Sequence, residues 1–237
     1  MNVTLENVNS LAIKTNALFL SFFTAYVVGS RLERKIQQLD NMIAAVMDSV
    51  VDGDIIVDFC SGGGHLGIVL AHLLPHCTVI MIDNKEESVR QARLRVAQLK
   101  LSNVMLIQSN LDYFQGTFNL GVALHACGVA TDLVLHMCLR NRASFVLCPC
   151  CYGNLALELP IQYPQSQLYQ QRSITRKDFA NLSRMADHLT PIGRVSMAAV
   201  DLDRIARANE EGYRVTLKKL KPDSSTPKHD LLVGIID

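Results

Sequence analysis

Between residues 55 and 147, short apolar runs alternate with stretches of helical periodicity, and this alternation limits the fold more than any other feature of the chain. The apolar runs cover residues 55–59, 79–82, 104–107, 120–124 and 145–147. Strands that are apolar on both faces are typical of a parallel sheet, because helices cover such a sheet on both sides. Hydrophobic residues make up 49% of the chain, which is enough for a core of that kind. The sequence therefore predicts an α/β fold with a mostly parallel sheet.

Two further strands are predicted over residues 213–220 and 231–236, with no helix between them. The segment that joins them contains Pro222 and Pro227, which favour a turn. We therefore expect an antiparallel hairpin at the end of a seven-stranded sheet. Helices are expected over residues 31–50, 65–74, 86–100, 130–139, 175–188 and 201–211, and a polar loop over residues 162–172.

Residues 1–30 are predicted to be an apolar N-terminal arm, and residues 31–237 to be one domain. Within the arm, residues 17–28 are almost wholly apolar. This stretch is too short to span a membrane, which takes ~20 residues, so we expect no membrane span. Its length suits the apolar part of a secretory signal, but a single Lys14 and a poor cleavage site favour a buried helical extension instead.

A glycine-rich turn follows the first predicted strand and opens the next predicted helix. Gly62, Gly64 and Gly67 fit the pattern G-x-G-x-x-G, in which glycines let the backbone turn tightly and approach a ligand. Asp83 ends the next strand, 19 residues after Gly64. A carboxylate in that position can accept hydrogen bonds from both ribose hydroxyls of an adenosine. The pattern predicts a site for an adenosine cofactor, in which Gly62 and Gly64 contact the ligand.

Three interpretations of this turn are open: a site for S-adenosylmethionine, a site for a nicotinamide cofactor, and a turn that only packs a helix on a strand. Asp58, near the end of the first strand, suits a cationic methionine moiety and repels a pyrophosphate. Asn110 can hydrogen-bond the adenine edge, and Leu111 can pack on its ring. S-adenosylmethionine is therefore the expected cofactor, with Asp58 at its methionine end and Asp83 at its ribose.

Five thiol and imidazole side chains follow two strands that would be neighbours in such a sheet. They are His125, Cys127, Cys148, Cys150 and Cys151. Because ligands bind at the carboxyl ends of parallel strands, which lie ~4.8 Å apart, we expect these side chains to crowd around one edge of the pocket. Strand alternation would put Cys148 and Cys150 on one side and Cys151 on the other if the strand extends that far. The seven cysteines lack the spacing of a disulfide scaffold, so we expect reduced thiols and a cytoplasmic location.

Three roles for these cysteines stay open: packing or pocket lining, a zinc site, and nucleophilic attack on a substrate. The C-x₂-C spacing of many zinc sites is absent, so no metal is expected. The zinc candidates, should one bind, are Cys127, Cys148, Cys150 and Cys151. His125 is a candidate general base, with Asp132 or Tyr152 beside it, and it is also placed among the cofactor-binding residues. The catalytic candidates are thus His125, Cys150 and Tyr152.

Three motifs occur in the order Val57-Asp-Phe-Cys-Ser-Gly-Gly-Gly-His65, Ala123-Leu-His-Ala-Cys-Gly-Val-Ala-Thr-Asp132 and Cys148-Pro-Cys-Cys-Tyr-Gly153. Together they resemble the C-terminal methyltransferase-like domain of the glutathione S-transferase C-terminal domain-containing protein family, and the likeness extends from about Arg31 to the C-terminus. A looser likeness, in His-x-Cys-Gly-x-x-Thr-Asp, extends to a tRNA ribose 2′-O-methyltransferase family.

The resemblance implies a class I methyltransferase fold and an S-adenosylmethionine pocket. That fold has a Rossmann-like, seven-stranded sheet whose last inserted strand is antiparallel. Cys60 stands where the common Asp-x-Gly-x-Gly-x-Gly loop of such proteins has its first glycine. Cys60 is therefore placed among the cofactor-binding residues, as a departure from the usual pattern.

The expected function is methyl transfer from S-adenosylmethionine, and RNA and protein are both open as the acceptor. The net charge of +1 gives no general attraction to nucleic acid, so an RNA acceptor needs a local basic surface. Each candidate surface is also what an ordinary solvated face would carry, and that interpretation is favoured. The candidates are Arg31/Arg34/Lys35, Arg90/Arg93/Arg95 and Lys218/Lys219/Lys221/Lys228. The alternative is a catalytically degenerate binding or interaction module that keeps the fold without turnover.

Overall fold

Residues 30–153, 155 and 161–236 are described by a computed structural model of the chain. Apart from Ser30, the predicted apolar arm, with the signal-like segment inside it, falls outside the described residues. Within the described part, no helix combines the length and the apolar character that crossing a membrane requires.

Seven strands form one sheet in the order β3-β2-β1-β4-β5-β7-β6. The strands are β1 Ile55–Phe59, β2 Thr78–Asp83, β3 Val104–Gln108, β4 Leu120–Leu124, β5 Ser144–Cys148, β6 Arg214–Lys219 and β7 Asp230–Ile235. Neighbouring strands are parallel except where β7 pairs with β5 and β6, and both of those pairs are antiparallel. The predicted mostly parallel sheet with an antiparallel C-terminal hairpin is confirmed.

The α-helices of the described part pack on both sides of this sheet or extend from it. They are α1 Ser30–Met47, α2 His65–Leu73, α3 Glu86–Leu99, α4 Ala130–Asn141, α5 Gln167–Gln171, α6 Arg176–Ala186 and α7 Pro191–Glu210. The predicted start of the last helix, at residue 201, is wrong. Helix α7 begins at Pro191 because Thr190 Oγ1 accepts the Gly193 N–H at 3.0 Å and a proline fits the first helical turn. The predicted loop over 162–172 contains the short helix α5.

Successive residues of the central strand β1 enter different cores, as the two-residue repeat of a strand requires. Ile56 belongs to one buried cluster with Leu39 of α1 and Val69 of α2. Val57 belongs to a second cluster with Leu135 of α4. Because both faces of the sheet are covered there, the strands β1, β4 and β5 are buried along nearly their whole length.

Helix α1 is fixed to the loop between β6 and β7, although the two lie at opposite ends of the described chain. Asn41 Nδ2 donates to the Lys221 carbonyl at 2.7 Å, and the Lys221 N–H donates to Asn41 Oδ1 at 2.9 Å. Gln38 Nε2 donates to the Ser225 carbonyl at 2.8 Å. These contacts hold α1 beside the carboxyl end of β4.

The chain reverses its direction of travel across the sheet between β1 and β4. From β1 it continues outward to β2 and β3, and from β4 it continues to β5 on the other side. In open α/β sheets, ligands bind outside the carboxyl ends of the strands at such a switch point. The topology therefore directs attention to the loops that follow β1, β2, β3, β4 and β5.

Candidate functional site

A cavity of about 250 Å³ opens at the carboxyl ends of β1, β2 and β3. Its walls combine short polar and apolar side chains from these strands and from α4. The lining residues are Cys60, Ile82, Asp83, Asn84, Ser109, Asn110, Leu111, Asp112, Ala130 and Leu133. Four of the predicted cofactor-binding residues, Cys60, Asp83, Asn110 and Leu111, thus lie around one cavity.

Asp83 is held in this cavity by the backbone on either side of it. Its Oδ2 accepts the Gly62 N–H at 2.9 Å, and its Oδ1 accepts the Lys85 N–H at 2.9 Å. An ionised carboxylate has about four acceptor positions, so two remain for a ligand. Nearby, Asn84 Nδ2 donates to Asn110 Oδ1 at 3.0 Å, which leaves the Asn110 amide group as a donor. The cavity thus presents acceptors and donors against apolar walls.

The glycines of the turn have different surroundings. Gly62 has a φ of +55°, and a Cβ at this position would meet nothing within 4 Å. Gly64 has a φ of +79°, and a Cβ there would lie 3.0 Å from Ala92 and 3.1 Å from Met81. Gly67 packs more closely still, since a Cβ would lie 2.5 Å from Met81. Only Gly62 of these three leaves open space for a ligand, whereas Gly64 and Gly67 allow α2 to pack.

Asp58 lies behind the turn with its carboxylate buried. Its Oδ2 accepts the Gly67 N–H at 2.9 Å. Burial raises the pKa of Asp58 to about 7, against the opposing effects of the Gly67 hydrogen bond and the Lys35 cation. Asp58 is therefore protonated in part at neutral pH, and a cation that reached it would favour the carboxylate.

A second and larger cavity, of about 580 Å³, lies between α1, the start of α2, the end of β4 and the β6–β7 loop. Its lining is rich in basic and imidazole side chains. The residues are Arg31, Arg34, Lys35, Gln38, His65, His125, Ser224, Ser225, Thr226 and Pro227. Burial lowers the pKa of Lys35, while Arg31 and Arg34 are exposed. This basic cavity brings the candidate base His125 together with the candidate basic surface.

His125 is oriented by Gln38, with Nε2 of the imidazole 2.9 Å from Oε1 of the amide. Because the Gln38 amide nitrogen donates to Ser225, its oxygen is the acceptor and His125 Nε2 carries the proton. Nδ1 is then the nitrogen that can accept a proton. Burial, and after it the Lys35 cation, lowers the pKa of His125 to about 4, so the imidazole is neutral at pH 7.

The sequence patterns do not single out Gln38 as a site residue. A usable signal was its spacing. Arg31, Lys35 and Gln38 are four and three residues apart, so they share one face of α1. That face meets the carboxyl end of β4.

Three of the four zinc-candidate cysteines lie together, and the fourth does not. The Sγ atoms of Cys127 and Cys150 are 3.0 Å apart, and each is 3.6 Å from Sγ of Cys151. Cys148 instead packs in the core with residues of α1 and α2, and burial raises its pKa to about 12. The predicted alternation of cysteines along a longer β5 is wrong because the strand ends at Cys148, directly before Pro149, which has no N–H to continue the ladder.

Tyr152 and Asp132 do not flank His125. The Tyr152 side chain is buried, and its hydroxyl donates to Asp201 Oδ2 at 2.7 Å. Asp132 is fully buried and accepts hydrogen bonds from Nε and Nη2 of Arg204, each at 2.8 Å. Both side chains therefore belong to a buried polar network between α4 and α7. In this arrangement neither Tyr152 nor Asp132 reaches the basic cavity.

The chain is similar to proteins of known families. Residues 32–158 match the model of a family described as a methyltransferase domain. The glutathione S-transferase C-terminal domain-containing protein of Bos taurus is 49% identical over 213 residues, which cover 86% of this chain and 34% of that protein. The chain thus spans about a third of the length of the curated relatives that it matches first. Ribosomal RNA small subunit methyltransferase G of Vibrio vulnificus is 31% identical over 101 residues, 40% of this chain and 48% of that protein.

Among solved structures, the magnesium protoporphyrin IX methyltransferase of Synechocystis, which was solved with bound S-adenosylmethionine, is similar over the whole fold. The match covers 99% of this chain and 98% of that one, with a TM-score of 0.52 and 11% identity. At this identity the likeness shows the fold alone.

Proposed function

The chain belongs to the methyltransferase domain family, and on this premise we propose that it binds S-adenosylmethionine in the cavity at the ends of β1, β2 and β3 and transfers the methyl group to an acceptor. The observation that carries the proposal is Asp83, whose carboxylate forms part of the cavity wall and keeps two acceptor positions. When bound, S-adenosylmethionine supplies an electrophilic methyl group on a positively charged sulfur.

The residues of the cavity fit the adenosine half of this cofactor. Asp83 would accept hydrogen bonds from the ribose hydroxyls, and the Asn110 amide would donate to the adenine edge. Leu111 and Leu133 offer apolar walls for the ring. Gly62, with open space in front of its Cα, would allow the methionine end to approach the backbone. The buried Asp58 would balance the ammonium group.

The acceptor would bind in the basic cavity, next to His125. In our proposal His125 Nδ1 accepts the proton that the acceptor loses, and Gln38 holds the imidazole in that tautomer. Arg31, Arg34 and Lys35 line the same cavity and favour an anionic acceptor. We propose RNA, because its phosphates match this charge and because a ribosomal RNA methyltransferase shares 31% identity over part of the chain.

The second candidate function is a binding module that holds the cofactor without turnover. Cys60 is the observation that favours it, because it replaces a glycine of the loop and adopts a φ of +55°, which side chains other than glycine rarely adopt. Its side chain occupies part of the cavity wall that the usual glycine leaves open. A purified protein that binds the cofactor but transfers no methyl group to any fraction would favour this second function.

We also propose that residues 31–237 act as one functional unit in a reducing compartment such as the cytoplasm. All seven cysteines have free thiols in the structure, and none is paired in a disulfide.

Isothermal titration calorimetry with S-adenosylmethionine tests the cofactor proposal. We expect Asp83→Asn to weaken binding by about 10- to 100-fold, because hydrogen bonds to a charged group contribute ~1.5–3 kcal/mol. Asp52→Asn removes the same charge before the amino end of β1, away from the carboxyl ends of the strands, and should bind within about twofold of the wild type. Folded wild-type protein with no affinity for the cofactor, or an Asp83→Asn variant with unchanged affinity, would refute the proposal.

Transfer of a labelled methyl group from S-adenosylmethionine tests the activity. Total RNA, protein and small-molecule fractions serve as acceptors, and we expect label in the RNA. Label in protein alone would overturn the proposed acceptor class while leaving methyl transfer intact. His125→Ala should reduce the rate by about 10²- to 10⁴-fold if the imidazole is the base.

A further inference from the structure

We propose that Cys127, Cys150 and Cys151 form a three-thiolate site for a zinc ion, beside the cofactor cavity and separate from it. Their three Sγ atoms lie within 4.8 Å of one another. In the described part of the chain, no other three His, Cys, Asp or Glu side chains bring their ligand atoms so close together. The site is independent of the proposed cofactor binding.

The backbone holds the three thiols together through the two loops that carry them. The Gly128 N–H donates to the Cys151 carbonyl at 3.3 Å, and the His125 N–H donates to the Cys148 carbonyl at 3.3 Å. Asp187 accepts the N–H groups of Tyr152 at 2.9 Å and of Gly153 at 2.7 Å, which fixes the chain directly after Cys151. The thiols are therefore brought together by hydrogen bonds that do not depend on a metal.

The triangle of sulfur atoms has the size that a zinc ion requires. Its edges are 3.0, 3.6 and 3.6 Å. A circle through three points with these separations has a radius of about 2 Å, which is shorter than the Zn–S bond of ~2.3 Å. One ion can therefore sit above the plane of the sulfurs at bonding distance from all three. In an ideal tetrahedral site with such bonds the sulfurs lie ~3.8 Å apart, close to the two longer edges.

Packing explains other cysteines of this chain but not these three. Cys77, Cys138 and Cys148 are buried among apolar residues, whereas Cys127 and Cys151 are exposed and Cys150 is half-buried. A disulfide would join only two of the three sulfurs and would not account for the position of the third. Three thiolates form a soft donor set, which suits zinc and other thiophilic ions rather than magnesium or calcium.

The exposure of Cys127 and Cys151 leaves the fourth coordination position open to the solvent. Zinc sites with three protein ligands and an open position take up water or a substrate group there. On binding, the three thiols form S–Zn bonds and release their protons to the solvent. The zinc site would then offer a coordination position next to the loop that carries His125.

Metal analysis of the full chain, purified under reducing conditions without chelator, tests this inference. We expect about one zinc per chain in the wild type and in Cys77→Ser, a buried cysteine whose hydrogen bond to the Val51 carbonyl a serine can keep. Cys127→Ser and Cys151→Ser should each lose most of the zinc. Circular dichroism and thermal unfolding of each variant show whether it folds.

Titration of the reduced, metal-free wild type with Co²⁺ keeps the inference open to refutation even if the variants fail to fold. Three thiolates around a tetrahedral cobalt ion give thiolate charge-transfer absorption and intense visible bands, which stoichiometric Zn²⁺ should abolish. Folded, reduced protein that binds neither ion would overturn the inference, as would a disulfide between two of these cysteines in protein kept under reducing conditions.

Discussion

Asp58 and Asp83 lie near the carboxyl ends of the neighbouring parallel strands β1 and β2, yet their surroundings give them different properties. Asp83 forms part of a cavity wall and accepts two backbone N–H groups. Asp58 is buried and accepts one, and burial raises its pKa to about 7. Two carboxyl groups near the ends of neighbouring strands therefore differ in burial and in the number of backbone N–H groups that they accept.

The raised pKa of Asp58 predicts a pH dependence of cofactor binding. The groups that face this carboxyl are the Lys35 cation, the Asp83 carboxylate and the Gly67 N–H. If the cofactor's ammonium group favours the ionised form, affinity should rise by up to about tenfold per pH unit below pH 7 and level off above it. Calorimetry between pH 6 and pH 8, in roughly half-unit steps, measures this. A profile of the same shape in Asp58→Asn would contradict the assignment.

The raised pKa of Asp58 also makes the stability of the fold depend on pH, and this dependence gives an independent control. The folded carboxyl holds its proton more tightly than the unfolded one, whose pKa is near 3.8. Its contribution to stability is therefore complete below about pH 4 and is lost as the pH rises through about 7. Thermal unfolding at several pH values should show that the stability of Asp58→Asn lacks this loss between about pH 4 and pH 7.

At the residue scale, the sequence predicts the positions of side chains that end or directly follow a strand. It does not predict the positions of side chains that depend on the geometry of a loop. Asp83, Asn110 and Leu111 lie where strand ends must bring them. The Gln38–His125 contact depends on how α1 crosses the sheet, and the positions of Cys150 and Cys151 depend on a turn after Pro149. Neither is encoded in the periodicity of the residues concerned.

Helix α7 carries a buried cation that joins it to α4. The Arg204 guanidinium is fully buried and contacts Asp132 through two nitrogens at 2.8 Å and Asp201 through a third at 2.9 Å. Tyr163 donates to the same Asp132 carboxylate. Two carboxylates in the interior thus depend on one cation.

Removing this cation should destabilise the fold strongly. We expect Arg204→Met to lower the free energy of unfolding by about 3–5 kcal/mol, because it leaves two buried carboxylates without the cation that balances their charge. Arg207→Met, one turn later, removes a partly exposed cation that pairs with Glu211, and should cost less than about 1 kcal/mol. Urea unfolding of both variants measures the difference. Equal effects would show that the network contributes no more than a surface ion pair.

At the scale of elements, the order and type of strands could be predicted because most of them are short apolar runs between turns. The helical region after β5 could not be predicted in full. The first half of α7, from Pro191, has exposed residues such as Ile192 and Val195, so no clear apolar stripe marks it. Its start depends on the Thr190 cap, a local signal that a search for periodicity passes over.

The positive and negative charges of the whole molecule nearly cancel, whereas the basic cavity is lined by cationic side chains. The net charge is +1, yet Arg31, Arg34 and Lys35 line one cavity with no acidic side chain among its lining residues. This cavity therefore supplies the local basic surface that an RNA acceptor needs.

We expect the double variant Arg31→Gln/Arg34→Gln to bind single-stranded RNA more weakly and with less salt dependence. Each lost phosphate contact should reduce the slope of log affinity against log salt by about 0.7. Fluorescence anisotropy with a labelled oligonucleotide at several salt concentrations measures the slope. Arg93→Gln/Arg184→Gln removes the same charge from exposed positions outside the cavity and should leave the slope unchanged. If both double variants lower the slope equally, the basic cavity is not the RNA-binding surface.

The contact between α1 and the β6–β7 loop affects the order in which a nascent chain can mature. Gln38 and Ser225 are 187 positions apart, and the imidazole of His125 depends on both. A ribosome makes nearly the whole domain before the partner that orients Gln38 has emerged. The sheet can begin to assemble during synthesis, but the geometry around His125 is completed only after Ser225 has emerged, so a product that ends before residue 225 would carry the fold's centre without a finished site.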